Sequence, residues 1–223
     1  MTWVKICGMT NLEDALAAVE AGADAVGFVF YEKSPRKIGV DAAREIVEKL
    51  PEGLEKVGVF VNERPERVSA IADEVGLTAV QFHGDEHQNP AMYATDRRAF
   101  LCIPADWVAM TWREKDQIFG SFVALPKNLG AVMLDSSTSE QRGGTGKPFN
   151  WGDAKAYVSL ASQVHPVVIA GGLRPDNVAE AIGTLNPWGV DVVSGVEARP
   201  GKKDPEKVRA FVKAVREMDR KAS

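Results

Sequence analysis

The sequence predicts a parallel α/β protein closed into a single (β/α)8 barrel, a TIM barrel, spanning residues 1–223 as one domain. Three observations carry this. Short apolar runs rich in β-branched residues alternate with helical patterns along the whole chain. The runs are continuously apolar, as suits strands covered on both faces. Eight runs in 223 residues leave about 28 residues per unit, close to the length of a strand with its returning helix. An open doubly wound sheet is the alternative, but no G-x-G-x-x-G follows the first run, which weakens its dinucleotide-binding version.

The first strand is predicted at Trp3–Cys7. Thr10 and Glu13 fit a capping box opening the first helix, and Gly22 suits its left-handed end. The second strand is Ala25–Phe30, followed by a helix whose Ala43, Ile46, Val47 and Leu50 form one apolar stripe. Lys56–Phe60 is the third strand. Val68, Ile71, Ala72 and Val75 repeat the stripe, and Gly76 ends that helix. Ala79–Phe82 and Ala99–Ile103 are the fourth and fifth strands. Pro104–Gly130 has no clean period and is assigned one helix. Ala131–Asp135, Val167–Ala170 and Val190–Ser194 complete the set. Asp204-Pro205-Glu206 then caps a last helix with Val208, Phe211, Val212 and Val215 on its inner face.

Composition narrows the function. With 45% hydrophobic and 26% charged residues the chain is neither disordered, collagenous nor a disulfide scaffold. A net charge of -4 argues against a general nucleic-acid or anionic-membrane binder. Its two cysteines, Cys7 and Cys102, have no metal-ligand spacing and suggest reduced thiols. No basic leader and no apolar run of roughly 18 residues is present, so a soluble cytoplasmic protein is expected.

Barrel enzymes place their chemistry at the C-terminal strand ends, and polar residues gather there. Glycine clusters at Gly143–Gly146, Gly171-Gly172 and Ser194-Gly195 suggest a phosphate site, because backbone N–H groups approach an anion closely where no Cβ intervenes. Gly144, Gly171, Gly172, Ser194 and Gly195 are its candidate residues. Cys7 reads either as a small buried residue or as a base or nucleophile. Asp135 ends an apolar run, which is awkward for a plain surface charge, and reads either as a loop cap or as a pocket residue. Strands one and six would aim both at one central pocket. Arg36 suits a substrate anion or an exposed loop, and His83 a substrate hydrogen bond. His83 and His87 do not make H-E-x-x-H, and no metal site is expected.

Together these segments resemble phosphoribosylanthranilate isomerases of tryptophan biosynthesis. The matches run in order through Lys5-Ile6-Cys7-Gly8-Met9-Thr10, Ser34-Pro35-Arg36, Val57-Gly58-Val59-Phe60, Gln81-Phe82-His83-Gly84 and Leu134-Asp135. They continue with Gly143-Gly144-Thr145-Gly146, Ala170-Gly171-Gly172-Leu173, Asp191-Val192-Val193-Ser194-Gly195-Val196-Glu197 and Pro200-Gly201. The resemblance implies a cofactor-free (β/α)8 enzyme that rearranges N-(5-phosphoribosyl)anthranilate to 1-(2-carboxyphenylamino)-1-deoxyribulose 5-phosphate; monomer and homodimer both stay open. It implies Cys7 as general base and Asp135 as general acid, Arg36 on the anthranilate part, and His83 and Asp191 nearby. Val193 stands where the family usually has Ser, and Phe82 where it has an aliphatic residue. The chemistry asks for Asp135 protonated near neutral pH and Cys7 available as thiolate, its pKa depressed by Arg36 or Lys5. Another sugar-phosphate barrel, such as one for the histidine-pathway aminoaldose, and a silent phospholigand-binding barrel are the competing readings.

Overall fold

A computed structural model describes residues 1–83, 95–105, 128–136 and 149–222. Eight parallel strands close into a barrel in chain order, β1 pairing with both β2 and β8. They are β1 Trp3–Cys7, β2 Ala25–Val29, β3 Glu55–Val61, β4 Ala79–His83, β5 Arg98–Pro104, β6 Leu129–Asp135, β7 Val167–Ile169 and β8 Gly189–Val192. Around them lie α1 Leu12–Ala21, α2 Val40–Val47, α3 Pro65–Val75, α4 Trp151–Ala161, α5 Val178–Leu185 and α6 Pro205–Ala222. Most of the segment expected as a helix at 104–130 lies outside the described residues, as does His87. Among the described residues, no helix is long and apolar enough to cross a membrane.

Each strand faces two cores, which explains its continuous apolarity. The outer core packs helix stripes on the sheet. Val68, Ile71, Ala72 and Val75 of α3, and Val208, Phe211, Val212 and Val215 of α6, are all buried there. The inner core holds Ala25, Val57, Ala79, Phe100, Cys102, Ala131, Met133, Val168 and Ala170. Trp3 stacks on Phe100 and on Trp188 at 5.3 and 5.2 Å, and the Arg98 guanidinium lies over Phe100 and Trp188. This floor closes the N-terminal end, so the barrel opens at the C-terminal strand ends.

Most strand boundaries differ from expectation by one or two residues, β2 ending at Val29, β4 at His83 and β7 at Ile169 and β6 beginning at Leu129; the differences at α1, β8, β3 and β5 have local reasons. The cap of α1 is Asn11, not Thr10: Asn11 Oδ1 accepts from Asp14 N at 2.9 Å while the Thr10 hydroxyl donates to the Gly201 carbonyl. Gly22 and Gly76 do take left-handed conformations, at φ 89° and 77°. Strand β8 stops at Val192, two residues early, because Ser194–Val196 turn into one 3-10 helix. A hairpin follows, β9 Glu197–Arg199 with β10 Lys202–Lys203. Strands β3 and β5 begin earlier, at Glu55 and Arg98, which pair at 3.3 Å beside the floor. Their charges read as loop in the sequence. The chain ends meet beside the β1–β8 seam. Thr2 N donates to Asp219 at 2.8 Å, and Arg216 reaches Asp24, Gly22 O and Thr2 O.

Candidate active site

The C-terminal strand ends surround a cavity open to solvent. Cys7, Arg36, His83, Asp135, Asp191, Gly171, Gly172 and Ser194, all singled out in the sequence, line it. Gly195 lies behind Ser194, and Gly144 falls outside the described residues.

Strand periodicity places the chemistry. Lys5 and Cys7 are two apart on β1, so both point into the barrel. Across the seam, Lys5 is in register with Asp191 on β8, and Lys5 Nζ donates to Asp191 Oδ1 at 2.9 Å. Both side chains are buried, at 0% and 4% exposure. On the other side Cys7 is in register with Gly27 of β2. A Cβ built on Gly27 would lie 2.4 Å from Cys7 Sγ and 3.1 Å from Lys5 Cε. Glycine there leaves the space in which ammonium and thiol meet.

The electrostatics correct the expected thiol shift. Burial pushes the Cys7 thiol up rather than down. Lys5 pulls against that shift without cancelling it, and the Asp191 charge adds to it. Burial likewise works against the Lys5 ammonium, but Asp191 and Cys7 outweigh it and hold its pKa above the usual lysine range. Cys102, on the inner face of β5, is pushed well up, first by burial and then by Asp135. Lys5 is thus the cation that acts most strongly on the thiol, with Lys203 adding a weaker pull. Arg36, the other proposed source, is committed elsewhere.

Arg36 follows β2 and reaches across the mouth to Glu197. Its Nε donates to Oε1 at 3.1 Å and its Nη2 to Oε2 at 2.7 Å. Arg36, read as a substrate contact or an exposed loop charge, is thus 14% exposed and bidentate to Glu197. His83, half-buried at the end of β4, has its Nε2 2.6 Å from the Gln81 amide nitrogen. Asp135, half-buried at the end of β6, faces the same cavity.

The glycine loops after β7 and β8 pack tightly. Gly171 and Gly172 take φ of 78° and 68°, and a Cβ on Gly171 would lie 2.3 Å from Ser136 N. Asn177 fixes that loop by donating to Gly172 O at 3.0 Å and accepting from Arg174 N at 2.7 Å. At Gly195 a Cβ would fall 1.9 Å from the Leu173 carbonyl oxygen, so the two loops touch backbone to backbone. The Val193 departure sits on the cavity wall, whereas Phe82 is buried in the outer core. Sequence reading gave no role to Gly27, Ser136, Glu197 or Lys203. A lysine two residues before Cys7 inside an apolar strand was the available signal for the buried pair.

Comparisons with known proteins follow this geometry. A family model described as N-(5'phosphoribosyl)anthranilate (PRA) isomerase matches residues 4–214. An N-(5'-phosphoribosyl)anthranilate isomerase of Geobacter sp. (strain M21) is 47% identical over 219 residues, covering 98% of this chain and 100% of the relative. The corresponding protein of Geotalea uraniireducens is 45% identical, covering 96% and 98%. The crystal structure of phosphoribosyl anthranilate isomerase from Thermotoga maritima superposes with a TM-score of 0.83 at 42% identity, covering 97% of this chain and 100% of that one. Another structure of such an isomerase, in complex with reduced 1-(o-carboxyphenylamino)-1-deoxyribulose 5-phosphate, gives 0.80 at 39% with the same coverage.

Proposed function

The chain belongs to the N-(5'-phosphoribosyl)anthranilate isomerase family, and from that premise we propose Cys7 as the general base and Asp135 as the general acid of its reaction. The activity is the isomerisation of N-(5-phosphoribosyl)anthranilate to 1-(2-carboxyphenylamino)-1-deoxyribulose 5-phosphate, a step of tryptophan biosynthesis. The carrying observation is that Cys7 of β1 and Asp135 of β6 face one cavity.

The rearrangement is a sequence of proton transfers. Asp135 gives a proton to the furanose ring oxygen, the C1′–O bond breaks, and the nitrogen lone pair forms an iminium. Cys7 thiolate takes the C2′ proton, leaving an enolamine that tautomerises to the ketone. No electron leaves the substrate and no group is transferred, so this chemistry calls for no cofactor. Arg36 receives the anthranilate carboxylate, with His83 and Asp191 beside it. Backbone donors around Gly171, Gly172, Ser194 and Gly195, with Gly144, hold the remote phosphate, whose binding energy positions the sugar.

The test is a continuous assay with freshly generated phosphoribosylanthranilate, following loss of anthranilate-type fluorescence. Turnover of the histidine-pathway aminoaldose alone would redirect the substrate assignment, and no turnover of either would favour a silent binding barrel.

Gly172→Val tests the phosphate placement. It puts a branched side chain where the backbone turns at φ 68°, beside the anion. Calorimetry should show weaker binding of a phosphorylated product analogue, with an unphosphorylated analogue affected less. Unchanged affinity in a folded Gly172→Val protein would move the phosphate elsewhere.

A further inference from the structure

We propose that Glu197 is the positioning residue for Arg36, turning its guanidinium so that a second edge receives the substrate carboxylate. This rests on the reading that Arg36 takes the anthranilate carboxylate. The argument is stereochemical. A guanidinium carries five N–H bonds in a rigid plane. Glu197 occupies the edge formed by Nε and one hydrogen of Nη2. The edge formed by Nη1 and the other Nη2 hydrogen remains, and among the described residues Nη1 has no hydrogen-bond partner. That edge can take a second carboxylate end-on, in the same plane as the first. Arg36 itself lines the cavity.

The anchor is built to be stiff. Glu197 Oε1 also accepts from Gly201 N at 3.2 Å and from Lys203 Nζ at 3.4 Å, and Lys203 Nζ donates to Val193 O at 3.0 Å. The β9–β10 hairpin carrying Glu197 is tied to the first turn of α1 and to the loop before it: Lys203 N donates to Asp14 Oδ2 at 2.7 Å and the Thr10 hydroxyl donates to Gly201 O. A Cβ on Gly201 would sit 3.2 Å from Pro35 O, so the hairpin tip also presses on the loop that holds Arg36. Arg36 and Lys203 share the one carboxylate of Glu197. Glu197 is held below the usual carboxylate range, since Arg36 and Lys203 outweigh its burial.

Binding separates orientation from charge. The probes are the reduced carboxyphenylamino deoxyribulose phosphate and its counterpart lacking the ring carboxylate. Glu197→Gln removes a negative charge beside Arg36, so charge alone would tighten the carboxylated probe. Loss of orientation predicts the opposite, about 10- to 100-fold weaker binding and a matching rise in KM. The decarboxylated probe should change less than about twofold, and the limb of the pH profile set by Cys7 should stay in place. Glu197→Asp, which keeps the charge but shortens the reach, should fall between Gln and wild type. It also serves as the readout should Glu197→Gln fail to fold. Tighter or unchanged binding of the carboxylated probe, or equal weakening of both probes, would overturn the proposal. Arg36→Met keeps the test separable. If it erases the preference for the carboxylated probe, the reading of Arg36 stands whatever Glu197 does. If the preference survives, the carboxylate is received elsewhere and both readings fall.

Discussion

Cys7→Ser is expected to lower kcat by about 10²–10⁴-fold while leaving product-analogue affinity nearly unchanged. Serine preserves the shape above Gly27 but puts a far less acidic hydroxyl where a thiolate is required. Asp135→Asn should lose a comparable factor, because an amide keeps the volume and cannot deliver a proton to the ring oxygen. The pH profiles then separate the roles. A base must be deprotonated, so wild-type kcat falls toward low pH as the thiolate is protonated, and that limb should vanish in Cys7→Ser. An acid must be protonated, so the fall toward high pH should vanish in Asp135→Asn. Single-turnover rates ensure that chemistry, not product release, is measured. A near-wild-type rate in either variant returns that residue to a structural role.

Lys5→Met should damage both the fold and the site. It leaves the Asp191 carboxylate in the barrel, 4% exposed and without its partner. Breaking such a pair typically costs about 3–5 kcal/mol, to be read from urea midpoints. It also removes the main cation that offsets the burial of Cys7, leaving only the weaker pull of Lys203. With that offset reduced the thiol rises further above its ordinary value. The low-pH limb of kcat should therefore move to higher pH, with activity regained in alkaline buffer. Lys5→Met/Asp191→Leu, which removes both charges, should recover much of the stability but not the neutral-pH rate. A limb that stays put in Lys5→Met would show that Lys5 serves the fold alone.

Fold and site were legible to different depths. The strands announced themselves because each is apolar on both faces, and Gly22, Gly76 and Asp204-Pro205 punctuated the helices through local conformational rules. Those rules act over a few residues. They could not choose between Thr10 and Asn11 as the cap of α1, because Thr10 is drawn away by Gly201, 191 positions later. Cys7, Asp135 and Arg36 were findable as polar residues at or just after strand ends, whereas Asp191 entered only through the family resemblance. Their charge states were not. The Cys7 shift depends on how deeply it is buried and on a lysine two residues away, quantities set by barrel closure. Arg36 was read as a substrate contact or an exposed charge, and its carboxylate partner stands 161 residues downstream. A pairing of that range leaves no periodic trace in one sequence.

The β1–β8 seam has a consequence for synthesis. On a ribosome the barrel emerges with Lys5 and Cys7 in its first strand and Asp191 in its eighth. Until β8 is made, β1 has one unpaired edge and Lys5 lacks its counter-ion. Closing a 186-residue loop costs about 5 kcal/mol of chain entropy, against about 3 for the 20 residues separating Lys5 from its partner Ala25 on β2. The nascent protein can therefore build most of its wall early, one strand against the next. The buried pair beside the base forms only on closure, so the thiol's setting is among the last features of the molecule to be completed.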